Sequence, residues 1–408
     1  MKQMLTITRK ELSGYFGSPM ALIFVGVFLT ATLFTFFWVD TFFSRGIADV
    51  RPLFNWMPIL MIFLVAALTM RQWSEEQKSG TMEILLTLPV NSLNLVAGKF
   101  VAVMILVCVA LGLTIFLPVT VWLLGDLDWG PVVGGYLAAV LLTSAYAAIG
   151  LYVSARTDNQ LVALIMTVVV GSAFYIIGSR GLTDFFGGNI SDILRALGSG
   201  SRFESIERGV IDLRDLAYYL SLTGIFISLN VLELERSGWS TGDNTLFIRV
   251  RHTLVVTTVI VNLILLNVWL YPLRGIRVDL TEGNEYSLSD ATRDILSAAS
   301  EPLLIRGYFS EKTHPMLAPL VPRIRDMLQE YEVVSDGNVI VEIVDPMQDP
   351  DKEAEANQTY GIRPTPLQAA DRYGASVVNA YFDILIRYGD QHMVLNFQEL
   401  IEIEGNRA

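Results

Sequence analysis

Residues 100–125 read FVAVMILVCVALGLTIFLPVTVWLLG, 26 positions without a charged side chain. A helix needs about 20 apolar residues to cross a hydrocarbon core ~30 Å thick. Uncharged runs of comparable length recur at 12–39, 52–70, 129–155, 159–179, 216–232 and 252–273. The run 216–232 is the shortest and carries Tyr218, Tyr219, Ser221 and Asn230. Seven runs near that length predict a polytopic α-helical membrane domain. The composition agrees, with 52% hydrophobic and 17% charged residues in a chain of 408, against about 25% charged in ordinary soluble domains.

Charge divides the chain in two. Residues 1–271 carry 17 Lys+Arg and 18 Asp+Glu, whereas residues 272–408 carry 12 and 23, a net of −11. The acidic end has no run of membrane length, so a water-soluble domain is expected after the last span. A net charge of −12 excludes a nucleic-acid binder, which needs a basic face. The lone Cys108 leaves no disulfide framework or cysteine zinc site. Its place within a span suits a buried apolar filler. The first run is longer than a signal-peptide core and is read as a retained span.

Lysine and arginine favour the cytoplasmic side of short loops. With the N-terminus inside, that side receives Lys2, Arg9, Lys10, Arg71, Lys78, Lys99, Arg156, Arg236, Arg249 and Arg251. The outer side receives Arg45, Arg51 and five arginines within 180–215. Seven crossings then place the C-terminal domain outside, whereas an even number would place it in the cytosol. None of the runs contains an ionisable group of the kind an ion-driven carrier uses at membrane depth, which points to an energy source outside the bilayer. Hydroxyls such as Thr30, Thr114 and Ser144 are the remaining means of holding a cation there.

Between the second and third runs lies RQWSEEQKSGTMEILLTLP, residues 71–89. Ser79, Gly80 and Thr81 supply a turn and cap, and Met82, Leu85 and Leu86 recur at helical spacing until Pro89 stops the helix. By periodicity alone this is an interfacial helix, with or without a partner. Residues 71–90 resemble the coupling-helix region of ABC-2 type permeases, the membrane subunits of one class of ATP-binding-cassette transporters. TRKELSGYFGSP at 8–19 resembles their elbow helix, where Leu5, Leu12, Tyr15 and Phe16 are expected to share an interfacial face. Residues 202–236 resemble their external loop and sixth span.

The resemblance implies a six-span unit, residues 1–236, acting with a second permease subunit in a homo- or heterodimer and with cytoplasmic P-loop ATPase subunits. It implies that Trp73, Glu75, Glu76, Gly80, Thr81 and Glu83 carry ATPase contact and force. The chain lacks GxxxxGK[ST], so the chain itself is expected to hold no cofactor and to be no enzyme; ATP and Mg belong to the partner. In the outer loop, Ile190, Ile193, Leu194 and Leu197 repeat at helical spacing, as either an external gate helix or a helix packed on the outer membrane face.

Residues 237–252 read as a cytoplasmic linker, 253–271 as a seventh span with Trp269 and Tyr271 at its outer interface, and 272–408 as an extracytoplasmic α/β domain. Within that domain strands are predicted at Leu303–Phe309, Asn338–Val344, Val377–Arg387 and Met393–Phe397. Helices are predicted at Asp290–Ala299, Met316–Tyr331 and Asp351–Tyr360, with a hairpin turn at Tyr388-Gly389-Asp390. YSLSDATRDIL, EPLLIRGYFS, VIVEIVDPMQDP and YGIRP resemble the GldG family, auxiliary proteins tied to GldF-type permeases. Members of that family normally continue into a further domain and span, so that either this chain is shortened or another GldG-like subunit supplies them. His252, His314 and His392 are too scattered for a ligand set, and Asp345, Asp349 and Asp351 flank prolines as a turn does. Two functions follow from the resemblance: export or extraction of a substrate from the inner membrane, or mechanical transmission to a cell-surface machine without transport. A passive scaffold is the third possibility.

Overall fold

A computed structural model describes residues 2–40, 42–45, 48–179, 182, 188–238, 246–271, 277–282, 292, 295–296, 301–310, 317, 320–335, 338–371 and 374–400. The chain forms two compact units, one of residues 1–42 and 48–282 and one of 43–47 and 283–408.

The first unit is helical. Its principal elements are α1 (Lys2–Phe16), α2 (Met20–Phe34), α3 (Met57–Thr69), α4 (Ser74–Lys78), α5 (Thr81–Thr87) and α6 (Ser92–Leu113). They are followed by α7 (Trp129–Ser154), α8 (Gln160–Ile176), α9 (Gly188–Leu197), α10 (Ser199–Glu207), β1 (Val210–Asp212), α11 (Leu213–Ser237), α12 (Leu246–Leu270) and β2 (Arg277–Asp279). Among the described residues, six helices are long and apolar enough to cross a membrane: Met20–Val39, Met57–Lys78, Ser92–Leu124, Trp129–Ser154, Leu213–Ser237 and Arg249–Leu270. The fifth uncharged run forms α8, whose 17 residues stand at the lower limit for crossing.

Helix α7 is the axis of the bundle. Small residues line it, so that Phe54 lies against Gly135 and Thr69 against Gly150, where an added Cβ would collide with either side chain. In its best-fitting stretch 72% of the residues are buried, against 6% for α12. Three asparagine or aspartate caps start helices where the sequence leaves the apolar run. Asn91 accepts from Leu93 N, Asp128 from Gly130 N and Asn159 from Leu161 N, at 2.8, 2.8 and 3.0 Å, each satisfying an amide with no intrahelical acceptor.

The second unit contains β3 (Leu303–Phe309), α13 (Leu320–Val334), β4 (Val339–Val344), α14 (Pro350–Thr359), β5 (Thr365–Asp371), β6 (Gly374–Ala380), β7 (Phe382–Tyr388) and β8 (Gln391–Leu395). Four strands form a sheet in the order β4-β3-β7-β8, in which β3 runs parallel to β4 and antiparallel to β7. Alternation along β3 sends Ile305 and Phe309 toward α13 residues such as Leu328, and Tyr308 toward Ala356 of α14. The sheet is thus covered on both faces, and the α/β expectation holds. The hairpin predicted at Tyr388–Asp390 is present, with Gly389 at φ +56°.

Three boundaries differ from expectation. The stretch 377–387 is two strands rather than one, because Tyr381 turns its backbone to Ser310: Tyr381 N donates to Ser310 Oγ, and Ser310 N to Tyr381 O, at 2.9 and 3.1 Å. The expected linker 237–252 gives way to α12 from Leu246, while residues 239–245 lie outside the described residues. The second unit starts at 283, not 272, since β2 pairs with β1 of the first unit. Most of the helix expected at Asp290–Ala299 lies outside the described residues.

Candidate functional site

One end of α7 carries a dense polar network. Arg71 to Lys78 leave the apolar run yet remain against the bundle, because their backbone needs acceptors that lipid does not provide. Ser154, the last residue of α7, accepts from Trp73 N and Ser74 N at 3.1 and 3.2 Å and donates to Met70 O at 3.0 Å. Gln77 Nε2 donates to Ala155 O at 2.7 Å. The loop is therefore tied to α7 through a single serine hydroxyl and the carbonyl beside it.

Lys99 ties the same loop to α6 and α1. Its ammonium is 3% exposed and donates to Gln72 O at 2.8 Å, Glu76 Oε1 at 3.0 Å and Glu11 Oε1 at 3.3 Å. It also lies 4.7 Å from the centre of the Trp73 ring, within cation–π range. Gln72 Nε2 donates to the Tyr15 hydroxyl. Burial, with the Glu11 carboxylate adding to it, raises the Tyr15 phenol well above its ordinary range. Helix α1 is held close to α6 at Gly98, where a Cβ would lie 2.7 Å from Ile7 Cγ2 and where Thr8 Oγ1 donates to Gly98 O at 3.1 Å.

From this base α5 projects. Gly80 reverses the chain at φ +71°, a conformation that glycine adopts without strain. Thr81 does not cap the helix; its hydroxyl donates to Glu76 O at 3.4 Å and meets Ser79 Oγ at 2.9 Å. Met82 is buried against Trp73, with Leu85 and Leu86 half-buried beside them. The opposite face exposes Glu83, Ile84 (66% exposed), Thr87 and Leu88. Helix α5 is amphipathic at helical spacing, and its apolar inner face is its seat on the bundle.

The six residues expected to contact an ATPase separate accordingly. Glu75, Gly80, Thr81 and Glu83 are exposed. Trp73 is wholly buried, and Glu76 turns inward to Lys99. Each has its own cause: the indole covers the hydrophobic cluster under α5, and the Glu76 carboxylate neutralises a buried ammonium. Sequence reasoning also missed Lys99, reading it as a topology charge. The signal was its position as the last charge before a 26-residue apolar run, one turn after Val96, which is itself buried.

The four residues assigned to the elbow face divide as well. Leu5 and Phe16 are exposed, Leu12 is half-buried, and Tyr15 turns into the bundle. Tyr15 lies about 100° around the helix from Phe16, which takes it off the lipid-facing stripe. Of the proposed gate residues, Ile193 and Leu197 are exposed on α9 and Leu194 is half-buried, while the side chain of Ile190 lies outside the described residues. The end of α9 is pinned: Arg202 Nη2 donates to Ala196 O at 3.0 Å, Tyr218 Oη to Leu197 O at 2.6 Å, and Tyr219 Oη to Ser199 O at 2.7 Å.

The other end of α7 is bound differently. There β2 pairs antiparallel with β1, with Ile211 opposite Val278, and Leu280 N donates to Gly209 O at 2.9 Å. Elsewhere the chemistry-bearing residues are quiet; Cys108, expected to be buried, is exposed, because its position on α6 faces away from the bundle. Among the described residues no cluster of His, Cys, Asp and Glu is disposed to hold a metal. Asp349 caps α14 and Asp345 accepts from Met347 N, so these aspartates serve turns. His252 hydrogen-bonds to Glu235.

Residues 9–187 match the family described as ABC-2 family transporter protein. Residues 282–387 match a domain of unknown function (DUF7088), beginning one residue before the main stretch of the second unit. No curated protein matches the chain. Residues 9–187 are thus similar to the ABC-2 transporter family, in a chain with six membrane-length apolar helices among its described residues and a separate C-terminal domain.

Proposed function

We propose that this protein is the membrane subunit of an ATP-binding-cassette system in the inner membrane, driven by partner P-loop ATPases that dock on α5. One observation carries this reading: α5 displays Glu83, Ile84 and Leu88 outward from a base bonded to three separate helices. A load applied to that face passes into α1, α6 and α7 together. The N-terminus and the Trp73 end of the bundle are cytoplasmic in this reading. A second permease copy or a homologous subunit completes the dimer, and ATP and Mg reside in the ATPase.

Ile84→Arg tests the assignment. The side chain is exposed, so the variant accumulates and unfolds like the parent, while co-purification of a P-loop ATPase from native membranes falls at least tenfold. Undiminished co-purification would remove α5 as the docking face.

Of the two outputs, substrate export and mechanical transmission, the second is favoured by the β1–β2 pairing, which ties the segment leading to the C-terminal domain to the permease unit. In this form the protein resembles a GldF-type permease joined to a GldG-like module, moving that module when the ATPases close.

A further inference from the structure

Helix α7 contributes to both polar ends of the bundle. Its last residue, Ser154, holds the loop at Trp73 and Ser74. Its cap, Asp128, accepts from Gly130 N at 2.8 Å and also from Glu282 N at 3.3 Å. A helix of 26 residues is about 39 Å long, so one rigid element runs from the loop to the segment that follows the last span.

The seat of that segment is built from glycines. A Cβ on Gly130 would lie 2.5 Å from Leu280 O and 2.7 Å from Thr281 Cα. Gly209, at φ +92°, has its place for a Cβ filled by Gly130 and Pro131. A Cβ on Gly134 would collide with Ile206 O. Asp279 then turns the strand into this groove, accepting from Thr281 N at 2.9 Å and from Thr281 Oγ1 at 2.6 Å. Arg214 pairs with Asp212 at the end of β1 and reaches Tyr271 O at 3.5 Å. Backbone packed on backbone at these separations leaves no space for a strand that slides.

We infer that α7 is a connecting rod between the coupling loop and the junction strand 277–282, and that the β1–β2 pairing is a permanent joint that stays closed through the nucleotide cycle. The role of the rod rests on the ATPase-driven reading above. The joint itself is a property of this chain alone. The residues that lead into the C-terminal domain accordingly move with the outer end of α7 instead of forming a loose tether.

The test places cysteines at Ile211 and Val278 in a Cys108→Ser background and cross-links them in native membranes with a short bis-methanethiosulfonate reagent. The expected yield is the same without nucleotide, with ATP and after vanadate trapping, and ATP hydrolysis by the associated ATPase stays within twofold after cross-linking. A severalfold fall in yield in any state, or loss of hydrolysis on cross-linking, overturns the permanent joint. Gly130→Val, added to the same pair, lowers the yield at least fivefold, and Asp279→Ala lowers it about twofold without a bulky insertion. Unchanged yield in both variants overturns the glycine seat. Absence of an ATPase from the membranes would count against the preceding section only, since the yield without nucleotide still judges the joint.

Discussion

The two ends of α7 are held by opposite kinds of chemistry. At the Trp73 end, side chains do the binding: a lysine between two glutamates, a serine under two backbone amides, an amide on a phenol. At the other end, backbone packs on glycine and strand pairs with strand. Side-chain networks can exchange partners, whereas a strand seated on glycines either holds or is lost. The difference teaches where the molecule can adapt and where it cannot.

Lys99→Met should break this contrast most severely. It leaves Glu11 and Glu76 without the ammonium they share, and breaking a buried pair costs about 3–5 kcal/mol. The loss would be read as a lower thermal midpoint of the detergent-solubilised protein, with Lys99→Arg recovering part of it. Gly98→Val ranks next. It drives a side chain into Ile7, and overpacking of this kind costs about 1–3 kcal/mol; early proteolytic release of residues 2–16 would report it.

Ser154→Ala sharpens the comparison at a single hydroxyl. Two buried amides lose their acceptor, at about 1–2 kcal/mol, and hydrogen exchange at Trp73 and Ser74 should accelerate while Val210–Asp212 stays protected. Equal acceleration at both ends would dissolve the distinction.

The smallest effect lies in the C-terminal domain, where Arg306 donates to Glu342 and Glu355 at 2.6 and 2.8 Å. The hydrogen bond from Arg306 holds the Glu355 carboxyl below its ordinary value. A depressed carboxylate stabilises the fold above its unfolded-state pKa and ceases to do so as pH falls through the folded value. Hydrogen exchange along β3 should therefore quicken modestly below about pH 4, and Glu355→Gln should remove that dependence.

Much of the C-terminal sheet was legible because period-two alternation fixes which face of a strand is buried. The break at Tyr381 was not, since it depends on a partner, Ser310, 71 positions away. The same holds at the candidate site. The turn at Gly80 and the apolar face of α5 follow from local spacing, but nothing local distinguishes Trp73 facing a partner from Trp73 facing its own bundle.

The amino-acid sequence by itself determined the long uncharged helices, the acidic α/β domain after them and the short amphipathic helix between two spans. Length, charge and periodicity act within a few turns of chain, and each states directly what lipid or water will accept. Only the tertiary structure decided that Lys99 gathers the loop before α5 and the first helix, and that residues 277–282 belong with the helical unit. Those outcomes depend on which distant groups arrive at hydrogen-bonding distance, a matter of packing rather than of local preference.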